Sequence, residues 1–144
     1  MKVLFDTTVL VASLVKAHPS HARCFDWHRR ALRPRMKMLV AAHTLLELYA
    51  VLTRLPLRPR IEPSIAARLV RESVTSRCEV VALSASDYAG LVEGASSIGL
   101  SGGIVTDALV ARAAEISGAD VLLTLNPDHF RRAWPQGAGR VKAP

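Results

Sequence analysis

The chain has 144 residues, half of them hydrophobic, enough for one compact domain spanning 1–144 with its own apolar core and no need of disulfides or a structural metal. No apolar run approaches the roughly 20 residues of a membrane span, and the apolar stretch after Lys2 is too short for a signal peptide, so a cytoplasmic protein with no membrane partner is expected. The net charge of +7 and the pI of about 10.3 suit an anionic partner, nucleic acid or an acidic protein, with a basic surface kept for solubility as the plainer account.

The first ten residues organise the rest. A short apolar run through Val3, Leu4 and Phe5 ends in Asp6, two hydroxyl residues follow, and apolar residues then resume at a wider period. This pattern predicts a strand, a carboxylate and a helix from Thr8 to Lys16. In open α/β sheets, ligands collect outside the carboxyl ends of the strands, which is where Asp6 falls.

Pro19-Ser20 predicts the opening of a second helix that runs to about Leu32. A basic run of Arg29, Arg30, Arg33, Arg35 and Lys37 comes next, interrupted by Pro34. Met38 to Ala42 is a predicted buried strand. His43 and Thr44 separate it from a helix in which Leu45, Leu48, Tyr49 and Leu52 hold an i, i+3, i+4, i+7 spacing until Pro56.

Leu57 to Pro63 is a proline- and arginine-bearing loop, and Ser64 to about Ser76 a further helix. Glu79 to Leu83 is the third predicted strand. Ser84 then caps a helix with Asp87 in a capping-box position. After the loop Ser101-Gly102-Gly103, Thr106 is expected to cap an Ala-rich helix that Gly118 ends. Asp120 to Thr124 is the fourth strand, Asn126-Pro127-Asp128 a turn into Phe130, and Arg140 to Lys142 a short edge strand. Strands alternating with helices argue for a parallel sheet covered on both faces. Cys24 and Cys78, with no CxxC spacing, are expected to be reduced core thiols.

Four acidic or amide positions recur at comparable places: Asp6 after the first strand, Glu47 near the start of a helix, Asp107 at the start of the Ala-rich helix, and Asn126 with Asp128 after the fourth strand. Singly, each has an ordinary explanation. Asp6 suits a strand-end turn, Asp107 complements a helix dipole, and Glu47 lies on a helical wheel opposite the apolar stripe, where a solvated glutamate belongs. Together, carboxylates converging at one sheet edge repel one another and need cations to stay ionised. Hard oxygen ligands favour Mg²⁺ or Mn²⁺, and such a cluster suits phosphodiester hydrolysis.

Four segments carry a resemblance: Phe5-Asp6-Thr7-Thr8-Val9-Leu10, Leu46-Glu47-Leu48-Tyr49-Ala50-Val51-Leu52-Thr53-Arg54-Leu55-Pro56, Gly102-Gly103-Ile104-Val105-Thr106-Asp107-Ala108-Leu109-Val110-Ala111, and Leu123-Thr124-Leu125-Asn126-Pro127-Asp128-His129-Phe130. In order and spacing they resemble the motifs of PIN-domain ribonucleases, most closely the VapC toxins of toxin-antitoxin pairs. The resemblance implies a three-layer α/β/α domain with a central, mainly parallel sheet of four to five strands. It implies Asp6, Glu47 and Asp107 as an acidic triad holding Mg²⁺ or Mn²⁺, with Thr7 beside it and Thr124 as a hydroxyl contact to metal-bound water. Many relatives have Asp where this chain has Asn126, so the fourth position falls to Asn126 or to Asp128. The family further implies an RNA substrate such as a tRNA or rRNA, a homodimer, and a cognate VapB-type antitoxin. Arg29, Arg30, Arg33, Arg35, Arg58 and Arg60 are candidates for phosphate contacts.

Other readings are weaker. A phosphoaspartate hydrolase needs a second Asp two residues after the first, where this chain has Thr8. His18, His21 and Cys24 supply three zinc-like ligands with no fourth nearby. His43 and His129 flank motif residues, where exposed or capping roles are the common ones. A PIN scaffold that binds RNA or protein without cutting is the non-enzyme alternative.

Overall fold

The computed structural model describes residues 1–144. Five strands, β1 (Lys2–Phe5), β2 (Lys37–Ala41), β3 (Glu79–Val81), β4 (Val121–Leu123) and β5 (Val141–Lys142), form one sheet in the order β3-β2-β1-β4-β5, and every neighbouring pair is parallel. β1 is central: Leu4 pairs with Leu39 on one side and Leu122 on the other. A parallel strand buried on both faces is apolar throughout rather than alternating, which is why Val3, Leu4 and Phe5 are all fully buried.

Successive side chains of a strand point to opposite faces, and here they divide the core in two. Val3 and Phe5 pack with Met38 and Val40 against α1 (Thr7–Leu14), α2 (His21–Arg30), α3 (Ala42–Arg54) and α4 (Pro63–Leu69). Leu4, Leu39 and Leu122 pack on the other face against α6 (Ile104–Ile116) and α7 (Pro127–Ala133), with Leu91 of α5 (Ala85–Ser97) at the edge. The result is a helix layer, a sheet and a second helix layer, the PIN-type arrangement expected above.

Several element ends differ from expectation, each for a local reason. α1 starts at Thr7 because Asp6 itself caps it, and stops at Leu14 as Val15 turns extended. α2 is shorter than the predicted span by two residues at each end. α3 leaves β2 directly, so His43 and Thr44 form its first turn instead of a linker. α4 continues past Leu69 as a π-helical turn, Val70–Thr75, which widens the ring of the backbone hydrogen bonds.

The Ala-rich helix α6 opens at Ile104 with Gly103 as its cap. Thr106 lies inside the first turn and donates to the Gly103 carbonyl at 2.5 Å, so it is no cap. Asn126-Pro127-Asp128 opens α7, with Pro127 at the first helical position where its missing N–H costs nothing. The Ser84–Asp87 capping box is present as predicted. Gly118 ends α6 at φ +64, and the Ala119 N–H reaches back to the Ala114 carbonyl at 2.9 Å. Cys24 and Cys78 are both free, and no helix is long and apolar enough to cross a membrane.

Candidate active site

The carboxyl ends of β1 and β4, the first turns of α1 and α6 and the middle of α3 surround a cleft of about 670 Å³. Asp6, Thr7, Thr8, Glu47, Asp107 and Asn126 line it. Parallel pairing of β1 with β4 sets Phe5 beside Leu123, which brings the residues following both strands to the same edge.

Asp6 is the most constrained of them. It is 5% exposed and caps α1 in an extended backbone conformation. Its Oδ2 accepts hydrogen bonds from the Thr8 hydroxyl at 2.6 Å and the Thr124 hydroxyl at 2.9 Å, and a longer one from the Thr8 N–H at 3.4 Å. These donors all converge on Oδ2 and leave Oδ1 without a side-chain donor. Burial pushes the Asp6 carboxyl above the usual carboxylate range, and the surrounding hydrogen bonds hold it back only in part.

Two hydroxyls stitch the far end of the chain to this residue. The Thr8 hydroxyl accepts from the Leu125 N–H at 3.1 Å, and the Thr124 hydroxyl from the Asn126 N–H at 3.0 Å. Thr124 is fully buried and spends its proton on Asp6, so it orients the carboxylate from behind and does not face the cleft.

Glu47 does not lie on a solvated helix face, as the helical wheel suggested. It is half-buried on the cleft wall, where its Oε2 accepts the Thr7 hydroxyl at 2.5 Å. Asp107 sits opposite on α6 with its carboxyl pushed up to about 6, by burial first and then by the charges of Asp6 and Glu47; His129, whose Nδ1 is 3.6 Å from Asp107 Oδ2, pulls the other way. Asp107 is thus the carboxylate on which the charges of the other two bear.

Of the two candidates for the fourth position, Asn126 lines the cleft. Asp128 lies outside it: its side chain is 88% exposed and pairs with Arg131 at 3.0 Å, one turn along the helix that the sequence had suggested as a turn. The would-be zinc ligands serve separate structures. His18 Nδ1 accepts from the Ser20 N–H at 3.0 Å, His21 Nδ1 lies 2.9 Å from the Ala12 carbonyl, and Cys24 is buried in the core. Sequence reasoning passed over the role of Thr8, which has no motif signal beyond following Asp6, and the placement of His18 on the cleft wall.

The donor set suits a hard divalent cation. It consists of carboxylate and amide oxygens, one of them the Oδ1 of the mostly buried Asp6, which no side chain donates to, in a place where burial penalises negative charge. No three of these groups close tightly around a single point. An open rim of carboxylates fits an ion such as Mg²⁺ that keeps several of its waters better than it fits a protein cage.

Comparison with known proteins agrees with this geometry. The family model for the PIN domain matches residues 3–134. The chain is 38% identical over 111 residues to Ribonuclease VapC27 of Mycobacterium tuberculosis, covering 76% of this chain and 74% of that one. To Ribonuclease VapC40 of the same species it is 37% identical over 117 residues, covering 81% of each. The crystal structure of VapBC2 from Rickettsia felis, bound to a DNA fragment from its promoter, shares the fold with a TM-score of 0.65 across 99% of this chain and 98% of that one, at 19% identity. The chain belongs to the PIN-domain family and, within it, to the VapC ribonucleases.

Proposed function

We propose that the protein is a Mg²⁺- or Mn²⁺-dependent endoribonuclease toxin that hydrolyses phosphodiester bonds in a structured RNA, such as a tRNA or an rRNA, and is held inactive by a cognate VapB-type antitoxin. The observation that carries the reading is the meeting of Asp6, Glu47 and Asp107 on one cleft, with the Asp107 carboxyl raised by burial first and then by the charges of the other two.

Asp6, Glu47 and Asp107 would hold the ion, with Asn126 offering a neutral oxygen beside them. A bound divalent ion would lower the pKa of an attacking water and neutralise charge on the phosphate. The chain's own contribution is position. Thr8 and Thr124 fix the Asp6 carboxylate on Oδ2 and turn its other oxygen free, while Thr7 fixes Glu47.

The basic surplus supports a polyanionic substrate, since neutralising phosphates supplies affinity and makes it salt-dependent. A homodimer fits the family, and an acidic antitoxin fits both the family and the charge; the Rickettsia felis structure of the same fold is of VapBC2. The test is metal-dependent cleavage of total RNA by the purified protein freed of antitoxin. Cleavage that Asp6→Asn abolishes supports the reading, and its absence from the native protein removes it.

A further inference from the structure

The cleft does not end at its carboxylates. α1 presents Thr7 and then Val11 to it, and α3 presents Glu47 and then Val51. In each helix a polar residue is followed four positions later, about 6 Å along the axis, by a valine. Beyond the two valines, half-buried, stands His18.

The Nδ1 of His18 accepts the Ser20 N–H at 3.0 Å. That bond requires a bare Nδ1, so the ring's proton is on Nε2. A turn-forming role accounts for Nδ1 alone. The Nε2–H makes no hydrogen bond within the protein and belongs to a side chain on the cleft wall.

Taking the ribonuclease reading as its basis, we propose that Val11, Val51 and His18 form a nucleobase subsite for a residue flanking the scissile phosphate, in which His18 Nε2–H donates to an acceptor on the edge of the base. Three observations favour a base over a phosphate. No Arg or Lys lines the cleft, so nothing there matches a second phosphate group. The valines offer apolar surface to the face of a base. Set against the purine C6 or pyrimidine C4 position, a fixed neutral donor pairs with guanine O6 or uracil O4 and meets the exocyclic amine that adenine or cytosine carries there. The subsite therefore selects guanine or uracil at one fixed position relative to the cut.

The experiment is cleavage of total RNA by the purified protein, freed of antitoxin, in Mg²⁺ or Mn²⁺, with the cut ends sequenced and the bases around each cut counted. His18→Asn is the informative variant: its Oδ1 can still accept the Ser20 N–H and keep the turn, while its shorter side chain withdraws the cleft donor. The native protein should favour G or U over A or C at one position by about five- to tenfold, the worth of one hydrogen bond. His18→Asn should bring that ratio close to one, with the rate on G- or U-bearing substrates falling toward the rate on the others, at an unchanged melting temperature.

An unchanged cleavage profile in His18→Asn overturns the subsite. So does a variant that loses affinity for the antitoxin while its RNA profile stays native, since His18 would then contact protein. His18→Ala, which removes both bonds, provides a check should His18→Asn misfold: a flattened profile in a folded Ala variant supports the subsite, and a native profile overturns it. A native protein that cuts no RNA in the extract removes the ribonuclease reading itself, an outcome distinct from cleavage without base preference.

Discussion

The Thr7 hydroxyl donates to Glu47 Oε2 over 2.5 Å and so ties the first turn of α1 to α3 across the acidic cleft. Glu47 is held by a residue 40 positions away, so its carboxylate is aimed before any ligand arrives. Thr7→Val keeps the shape and deletes the donor. RNA cleavage should fall about 10- to 100-fold, the usual cost of losing a partner that orients a metal ligand, with little change in melting temperature. Thr7→Ser should retain most of the activity. Steady-state kinetics on one RNA substrate beside a thermal melt would check both.

Asp107 bears the repulsion of Asp6 and Glu47. Removing its charge should stabilise the metal-free protein and disable it, the trade commonly found at strained sites. In chelator, Asp107→Asn should melt roughly 2–4 °C above the native chain, as about 1 kcal/mol produces at this size. Added Mg²⁺ or Mn²⁺ should raise the melting temperature of the native protein and leave that of the variant nearly unmoved. A variant that melts lower in chelator would show that Asp107 supports the fold more than it strains it.

His28 is buried, with Nε2 donating to the Ser73 carbonyl at 2.8 Å and Nδ1 lying 2.9 Å from the Ser13 hydroxyl. It thereby joins α2 to α1 and to the π-helical turn. Burial depresses its pKa first and the Arg77 charge also lowers it, against the Ser73 carbonyl, which raises it. The unfolded chain, with an ordinary histidine near 6.5, then binds more protons than the folded one below that pH. Stability is complete above about pH 6.5 and falls as the pH drops through it. Urea midpoints at pH 7.5 and 5.5 should show this loss, and His28→Gln should reduce the difference. A steeper pH slope in the variant would contradict it.

Gly137 is required by contact, not by its backbone angle. A Cβ there would come within 2.0 Å of Trp134 Cε2, and Trp134 is buried with Phe130 in the second core. Gly137→Ala forces the indole out of place, at a cost of about 1–3 kcal/mol by analogy with overpacked cores. The melting temperature should drop by several degrees, and the near-ultraviolet signal of the tryptophans should change. A native melt would mean the ring moves without penalty.

The layered fold was legible because its signals were strong and repeated. Val3 to Phe5 and Val121 to Leu123 are uniformly apolar, as only doubly covered strands are, and Gly118 marked a helix end. Asp6 and Asp107 stood out by their places at element boundaries: Asp6 closes an apolar strand, and Asp107 opens the Ala-rich helix. Glu47 was recognisable only through its motif, because a helical wheel separates apolar from polar faces and has no sign for a polar face turned into a cleft. Asp128 was misplaced with the turn that proved to be α7, where one more helical turn swings its carboxylate to solvent beside Arg131. Thr8, Thr124 and His18 depend on partners far away in the chain or on which ring nitrogen a backbone amide meets, and neither leaves a trace in local sequence.

The bond from Thr124 to Asp6 Oδ2 spans 118 positions, and β4, which carries that threonine into place, pairs directly with the opening strand. Synthesis runs from the N-terminus and delivers Asp6 118 positions before its buried partner. Asp107, the last of the three carboxylates, arrives only shortly before β4, so the acidic set and the strand that backs it are completed almost together. A chain released just before β4 has the ligands and no floor to set them on.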